Sequence, residues 1–140
     1  MKRNKKNVLK IVTVIVMLGM LVFFTVLIQY ISEARDRDIV RITDINKLRT
    51  ALQFYYLDNG HYPAEKQWCS LESNCDNLSK EIKPYLSEIP KDPLYSKDQD
   101  YSYLYKTTED GSDYKIYTRL ERGGSYELGS KRSFLIISPK

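Results

Sequence analysis

Residues 11–31, IVTVIVMLGMLVFFTVLIQYI, contain no charged side chain and no proline. As a helix rising ~1.5 Å per residue, the run reaches ~31 Å, the thickness of a bilayer's hydrocarbon core. Lys2, Arg3, Lys5, Lys6 and Lys10 precede it with no acid among them. Glu33, Arg35, Asp36, Arg37 and Asp38 follow it and nearly cancel. The asymmetry predicts an N-terminus in the cytoplasm and a C-terminal head outside. Ser32 and Ala34 are small residues of the kind that precede a signal-peptide cut. The run exceeds the ~7–15 apolar residues of a signal core, however, and so favours an anchor. Ile11, Val16, Leu21, Phe24 and Ile31 sample its length and are expected to face lipid.

The helical pattern does not stop at the membrane. From Val8 to Asp58 there is no proline and one glycine, Gly19. Over residues 33–47, Glu33 with Arg37, Asp38 with Arg41, and Asp44 with Lys47 fall at i,i+4 or i,i+3. This charge-laced run reads as a solvated helix face. Through it passes an apolar stripe of Ile42, Ile45, Leu48, Leu52, Tyr55 and Tyr56, expected to pack against a head. A continuous helix would hold ~51 residues and reach ~76 Å. Asn59-Gly60 supplies the left-handed residue that ends it, and Pro63 prevents resumption.

Beyond the helix the chain must build a small core. The expected organisation is a basic tail over 1–10, a membrane segment over 11–31, the outer half of the helix over 32–60 and a head over 61–140. Residues 64–77 read as a loop holding Trp68, and 78–89 as a short helix or two turns interrupted by Pro84. IPKDP at 89–93 reads as a proline-set connector. Tyr101, Tyr103 and Tyr105 alternate with Ser102, Leu104 and Lys106. After the turn 109–113, Tyr114, Ile116, Thr118 and Leu120 alternate in the same way, which is a hairpin signal. Gly123-Gly124 marks a further turn, and SFLIIS at 133–138 a third strand. The fold class is therefore α+β: a long N-terminal membrane-spanning helix packed on a small antiparallel sheet.

Cys69 and Cys75 lie in the segment placed outside, where disulfides persist. A bridge would close a seven-residue loop, contributing about 2 kcal/mol on the chain-entropy model. A zinc site would need two more ligands, and His61 is the only histidine,. Asp98, Asp100, Asp110 and Asp113 match no calcium-loop spacing and read as turn residues. The 12 tyrosines read as a sheet face packed on a helix. With no nucleophile motif, phosphate loop or paired carboxylates, neither catalytic residues nor a metal or cofactor is expected. Outside residues 1–10 the chain carries 17 basic and 18 acidic side chains, so no nucleic-acid partner is expected.

Several stretches together resemble type IV pilin-like proteins, the major pseudopilin of type II secretion systems above all. They are Ala34-Arg35, Asp44-Ile45, Leu48-Arg49-Thr50-Ala51-Leu52, Tyr55-Tyr56, Asp58-Asn59-Gly60-His61-Tyr62-Pro63, Pro84-Tyr85-Leu86 and Ile89-Pro90-Lys91-Asp92-Pro93. The resemblance implies a lollipop shape, a long helix on a three- or four-stranded sheet, and assembly into a helical filament through the apolar helices. One part of the pattern has no counterpart. Family members carry a glycine after a basic leader, then Phe-Thr-Leu and a glutamate, and the prepilin peptidase cuts after that glycine. Here Gly19 is followed by Met20-Leu21-Val22, and residues 11–31 contain no carboxylate.

The expected function is that of a structural, non-enzymatic subunit of a type II secretion or type IV pilus-like assembly. Its expected place is the cytoplasmic (inner) membrane, as a single-pass protein. Its expected partners are the lipid bilayer, itself or other pilin-like subunits, and an assembly platform. The alternative is an unprocessed single-pass tether that displays a binding module.

Overall fold

A computed structural model describes residues 2–130 and 135–137. Helix α1 runs Lys2–Asn59 without interruption, as expected of a stretch with no proline before Pro63,. Its termination follows the Asn59-Gly60 signal. Gly60 adopts φ 75° and donates its N–H to Tyr56 O at 2.8 Å, while the Asn59 side-chain amide donates to Tyr55 O at 2.9 Å. The Gly60 N–H thereby satisfies one of the carbonyls orphaned by the helix end,.

The chain divides into two compact units, residues 1–35 and 36–140. In the first, the apolar side chains of residues 8–31 are exposed throughout, among them Ile11, Val16, Leu21, Phe24 and Ile31. The mean hydropathy of this stretch reaches 3.0, so α1 is long and apolar enough to cross a membrane. The Thr13 and Thr25 hydroxyls donate back to Leu9 O and Val22 O, each at 2.8 Å, so neither threonine presents an unpaired hydroxyl proton to an apolar surrounding,.

In the second unit, residues 36–59 of α1 lie on an antiparallel meander. It comprises β1 (Cys69–Ser70), β2 (Leu104–Thr107), β3 (Tyr114–Arg119), β4 (Ser125–Gly129) and β5 (Leu135–Ile137), ordered β1-β2-β3-β4-β5. A short helix, α2 (Asp76–Ile82), follows β1. The period-two pattern places Tyr105 opposite Ile116 and Thr107 opposite Tyr114, all four buried,. Ile45, Leu48, Ala51, Leu52 and Tyr55 of α1 join this face in one core with Leu78 and Ile82 of α2. The unit is α+β and pilin-like, as the sequence pattern predicts.

Several details differ from the sequence reading. β2 begins at Leu104, so Tyr101 precedes the strand, in a turn where it donates its N–H to Asp98 O at 3.1 Å. The segment 64–77 contains β1 and the start of α2 rather than loop alone. β4 was not anticipated: only five residues long, it is bounded by Gly123-Gly124 and Gly129. Its Tyr126 and Leu128 nonetheless face the core. Of the strand expected over 133–138, Leu135–Ile137 form β5, while Ser133, Phe134 and Ser138 lie outside the described residues.

The β2–β3 turn meets the end of the helix. Tyr62 donates its N–H to Gly111 O at 2.9 Å. Gly111 has φ 66°, and a Cβ there would lie 3.1 Å from the His61 Cβ, so both conformation and space call for glycine. The single histidine is a turn residue at this contact, its Nδ1 3.1 Å from Tyr62 O.

Leu52 is fully buried, whereas Leu57, five residues on along the same helix, is exposed. Leu52→Ala should lower the stability of the detergent-solubilised chain by about 2–5 kcal/mol. Leu57→Ala should leave it within about 0.5 kcal/mol. Denaturant unfolding monitored by tyrosine fluorescence distinguishes the two.

Candidate functional site at the helix–head joint

The charge-laced run expected to be a solvated face is so only in part: Glu33, Arg35, Asp36 and Lys47 are exposed, but three of its charges are buried. Arg41 is 0% exposed, and Asp38 and Asp44 are buried with it. The reason lies in helical spacing: 38, 41, 45, 48, 52 and 55 alternate steps of three and four, so Arg41 and Asp38 continue the core stripe toward the helix's N-terminal end. A guanidinium in that position must find its partners inside the protein.

It finds three carboxylates. Arg41 Nε and Nη2 bind Asp92 as a fork, at 2.6 and 3.0 Å. Nη1 donates to Asp38 Oδ1 and to Glu121 Oε1, each at 2.8 Å. Arg37 grips Glu121 from the next turn, at 2.7 and 2.8 Å. Asp38 also receives the backbone N–H groups of Glu121 and Arg122 at 2.9 and 3.2 Å. The Tyr101 ring lies against the Arg41 guanidinium, 4.8 Å from its centroid, and stacks with Arg119 at 5.1 Å,. Four separate segments thus converge on Arg41: its own helix, the 89–93 connector, the turn at Tyr101 and the turn after β3. Burial opposes the Arg41 charge, but its carboxylate partners, Asp92 first, outweigh that and raise its pKa,.

A second polar tie lies one turn along. The Tyr103 hydroxyl donates to Asp44 at 3.2 Å, and Lys47 pairs with the same carboxylate at 2.8 Å. Tyr105 donates to Pro63 O at 2.9 Å and Tyr55 to Glu81 at 2.6 Å. Burial pushes the Tyr55 hydroxyl up to about 12, helped by the Glu81 hydrogen bond. Burial also raises Tyr103, Tyr105 and Tyr114.

Of the residues singled out for helix–head packing, Ile45, Leu48, Leu52 and Tyr55 are buried in the core and Ile42 is half-buried at its edge. Tyr56 is 38% exposed, its ring 4.7 Å from that of Tyr62. Cys69 and Cys75 form a disulfide with Cα atoms 5.2 Å apart. Asp113 accepts from the Tyr114 N–H at 2.8 Å and from both the N–H and the hydroxyl of Ser130. Asp110 is held at about 2 by hydrogen bonds from Thr108 and Ser112. These acids serve their turns. Reading the sequence alone missed Arg41, Asp92 and Glu121. The available signal was an Arg–Asp pair at i,i+3 lying in phase with the apolar stripe.

The ionic joint and the core stripe together fix residues 36–59 of α1 to a five-stranded meander. The family model for type II secretion system protein G matches residues 27–128. The chain belongs to that family, the major pseudopilins. The match runs from inside the apolar stretch into β4 and so takes in every residue of the ionic joint. Comparison with curated proteins and with solved structures found no match.

Arg41→Ala should cost this pseudopilin about 3–5 kcal/mol, because it strands buried Asp92 and Asp38. Calorimetric melting of the detergent-solubilised chain reads the loss. The pH limits follow from two depressed or raised groups. Hydrogen bonds from Arg37, against burial, hold Glu121 below its ordinary 4.5, with Arg41 adding to the effect. A carboxylate lowered on folding stabilises above its unfolded value and loses that contribution as pH falls through the folded one. Stability should therefore decline below about pH 4.5. A phenol raised on folding behaves oppositely, so Tyr55 should cost stability as pH climbs from 10.0 toward about 12,. Melting temperature against pH, with tyrosinate absorbance, checks both limits.

Proposed function

We propose that this pseudopilin is a non-enzymatic, single-pass subunit of a type II secretion or type IV pilus-like assembly. Residues 11–31 anchor it in the cytoplasmic membrane and pack beside the same segment of neighbouring subunits, its own copies or other pilin-like chains. The basic residues before the span place the N-terminus in the cytoplasm and the head outside. The observation that carries this reading is one helix with two surfaces. Its first unit is apolar and exposed from Val8 to Ile31. Its last turns are fixed in a head by the Arg41 joint and the core stripe. Exposed apolar surface on that scale calls for lipid or another apolar helix.

The lack of a carboxylate in residues 11–31 supports one other reading, a tether that displays its head without polymerising. A Val16→Cys/Phe24→Cys variant separates the two, since Cys69 and Cys75 are already paired. Oxidation in native membranes should yield a ladder of cross-linked multimers. A chain that stays monomeric at expression levels giving normal membrane insertion would favour the tether. Orientation is checked with Ser96→Cys, which should react with a membrane-impermeant maleimide from the outer side.

A further inference from the structure

The disulfide closes a tight ring, residues 69–75. Inside it Ser73, Asn74 and Cys75 all donate their N–H to Ser70 O, at 3.0–3.1 Å, and Asn74 Oδ1 accepts the Ser70 N–H at 2.6 Å. Leu71 packs from the ring into the core, and Glu72 carries the ring's one carboxylate beyond it. Its carboxylate accepts the Ser70 hydroxyl at 3.0 Å, the Asp92 N–H at 3.0 Å and the Tyr103 N–H at 3.2 and 3.3 Å.

The Asp92 contact matters because of where it falls. Residues 90–93 are Pro-Lys-Asp-Pro and belong to no strand or helix. The two prolines carry no N–H, so only Lys91 and Asp92 have backbone donors, and Glu72 takes that of Asp92. Asp92 in turn points its carboxylate at Arg41, with Leu94 N–H bonding Oδ1 at 2.8 Å. A continuous series of contacts runs from the disulfide ring through Glu72 to the Asp92 backbone, then through the Asp92 fork to the buried guanidinium of α1.

We propose that Glu72 is the positioning residue through which the Cys69–Cys75 disulfide sets the Arg41 joint, so that the head's grip on its helix depends on the redox state of that pair. A dithiol reductant opens the bond by thiol–disulfide exchange. Two electrons and two protons pass to the Cys69 and Cys75 sulfurs, and the dithiol leaves as its own disulfide. The ring then relaxes, Glu72 leaves the Asp92 N–H, and the connector no longer presents its carboxylate to Arg41. Oxidation by a protein disulfide reverses the exchange and completes the joint. With the head placed outside, as the functional reading has it, the grip would mature only after export.

The test uses the full chain in detergent micelles and reads amide hydrogen exchange. Exchange at Asp92, at Tyr103 and over residues 41–48 of α1 should quicken about tenfold on reduction. Glu72→Ala should do the same with the disulfide intact, and Glu72→Gln, which keeps one acceptor, should be intermediate. In Glu72→Ala, reduction should add little further change at residues 41–48, the mark of two perturbations acting through one path. Unchanged protection at Asp92 after reduction overturns the proposal. So does a Glu72→Ala chain whose α1 amides stay protected, or one in which reduction still loosens α1 in full. Reduction is applied to the folded wild-type chain, so the result does not rest on a cysteine variant folding. Each measurement reads a single subunit, so failure to polymerise in the cross-linking assay leaves this outcome independent.

Discussion

A guanidinium removed entirely from water governs how this molecule is put together. Arg41 sits where an apolar residue would continue the core, and no relaxation of one side chain can take it back to solvent. Asp92, Asp38 and Glu121 must therefore be brought to it, and each comes from a different part of the chain or a different turn of the helix. A hydrophobic side chain at 41 would accept many orientations of the head about the helix axis. A planar fork with fixed donor directions accepts few. The joint thus contributes orientation as much as adhesion, and adhesion comes mainly from Ile45, Leu48, Leu52 and Tyr55 beyond it.

The tyrosines complete the division of labour. Their rings fill the space between α1 and the sheet, where Tyr62 and Tyr114 meet edge-on at 4.6 Å. Their hydroxyls mostly reach polar partners at the margin of the core, as Tyr105 does at Pro63 O. The Tyr114 hydroxyl is buried without a hydrogen-bond partner among the described residues. That cost is borne by a core otherwise rich in satisfied phenols.

How much of this could be read from the residues depends on whether chemistry and position agree. At Ile45, Leu48, Leu52 and Tyr55 an apolar side chain occupies an apolar position, so periodicity reveals both helix and buried face. Tyr105, Tyr114 and Ile116 announce the sheet for the same reason. The disulfide was legible because six residues of separation suit a short loop and nothing else competes for the thiols. Arg41 was illegible because its type argues for water while its phase argues for the core, and pairing with Asp38 at i,i+3 has an equally simple surface explanation. Asp92 and Glu121 could not be assigned at all. Their role exists only once residues 51 and 80 positions away in sequence are folded together. β4 was hidden by its brevity and its flanking glycines.

The head grips α1 toward both ends of the core stripe, at the guanidinium at 41 and just past Gly60, where the Tyr62 N–H meets the β2–β3 turn. About nineteen residues, ~28 Å of helix, separate them. Each residue inserted or deleted between those points would turn one grip ~100° against the other while shifting it only ~1.5 Å along the axis. The stretch therefore acts as a phase gauge. A whole heptad nearly restores the angle but moves one grip ~10 Å along the axis, so neither a small nor a large change in length keeps both contacts.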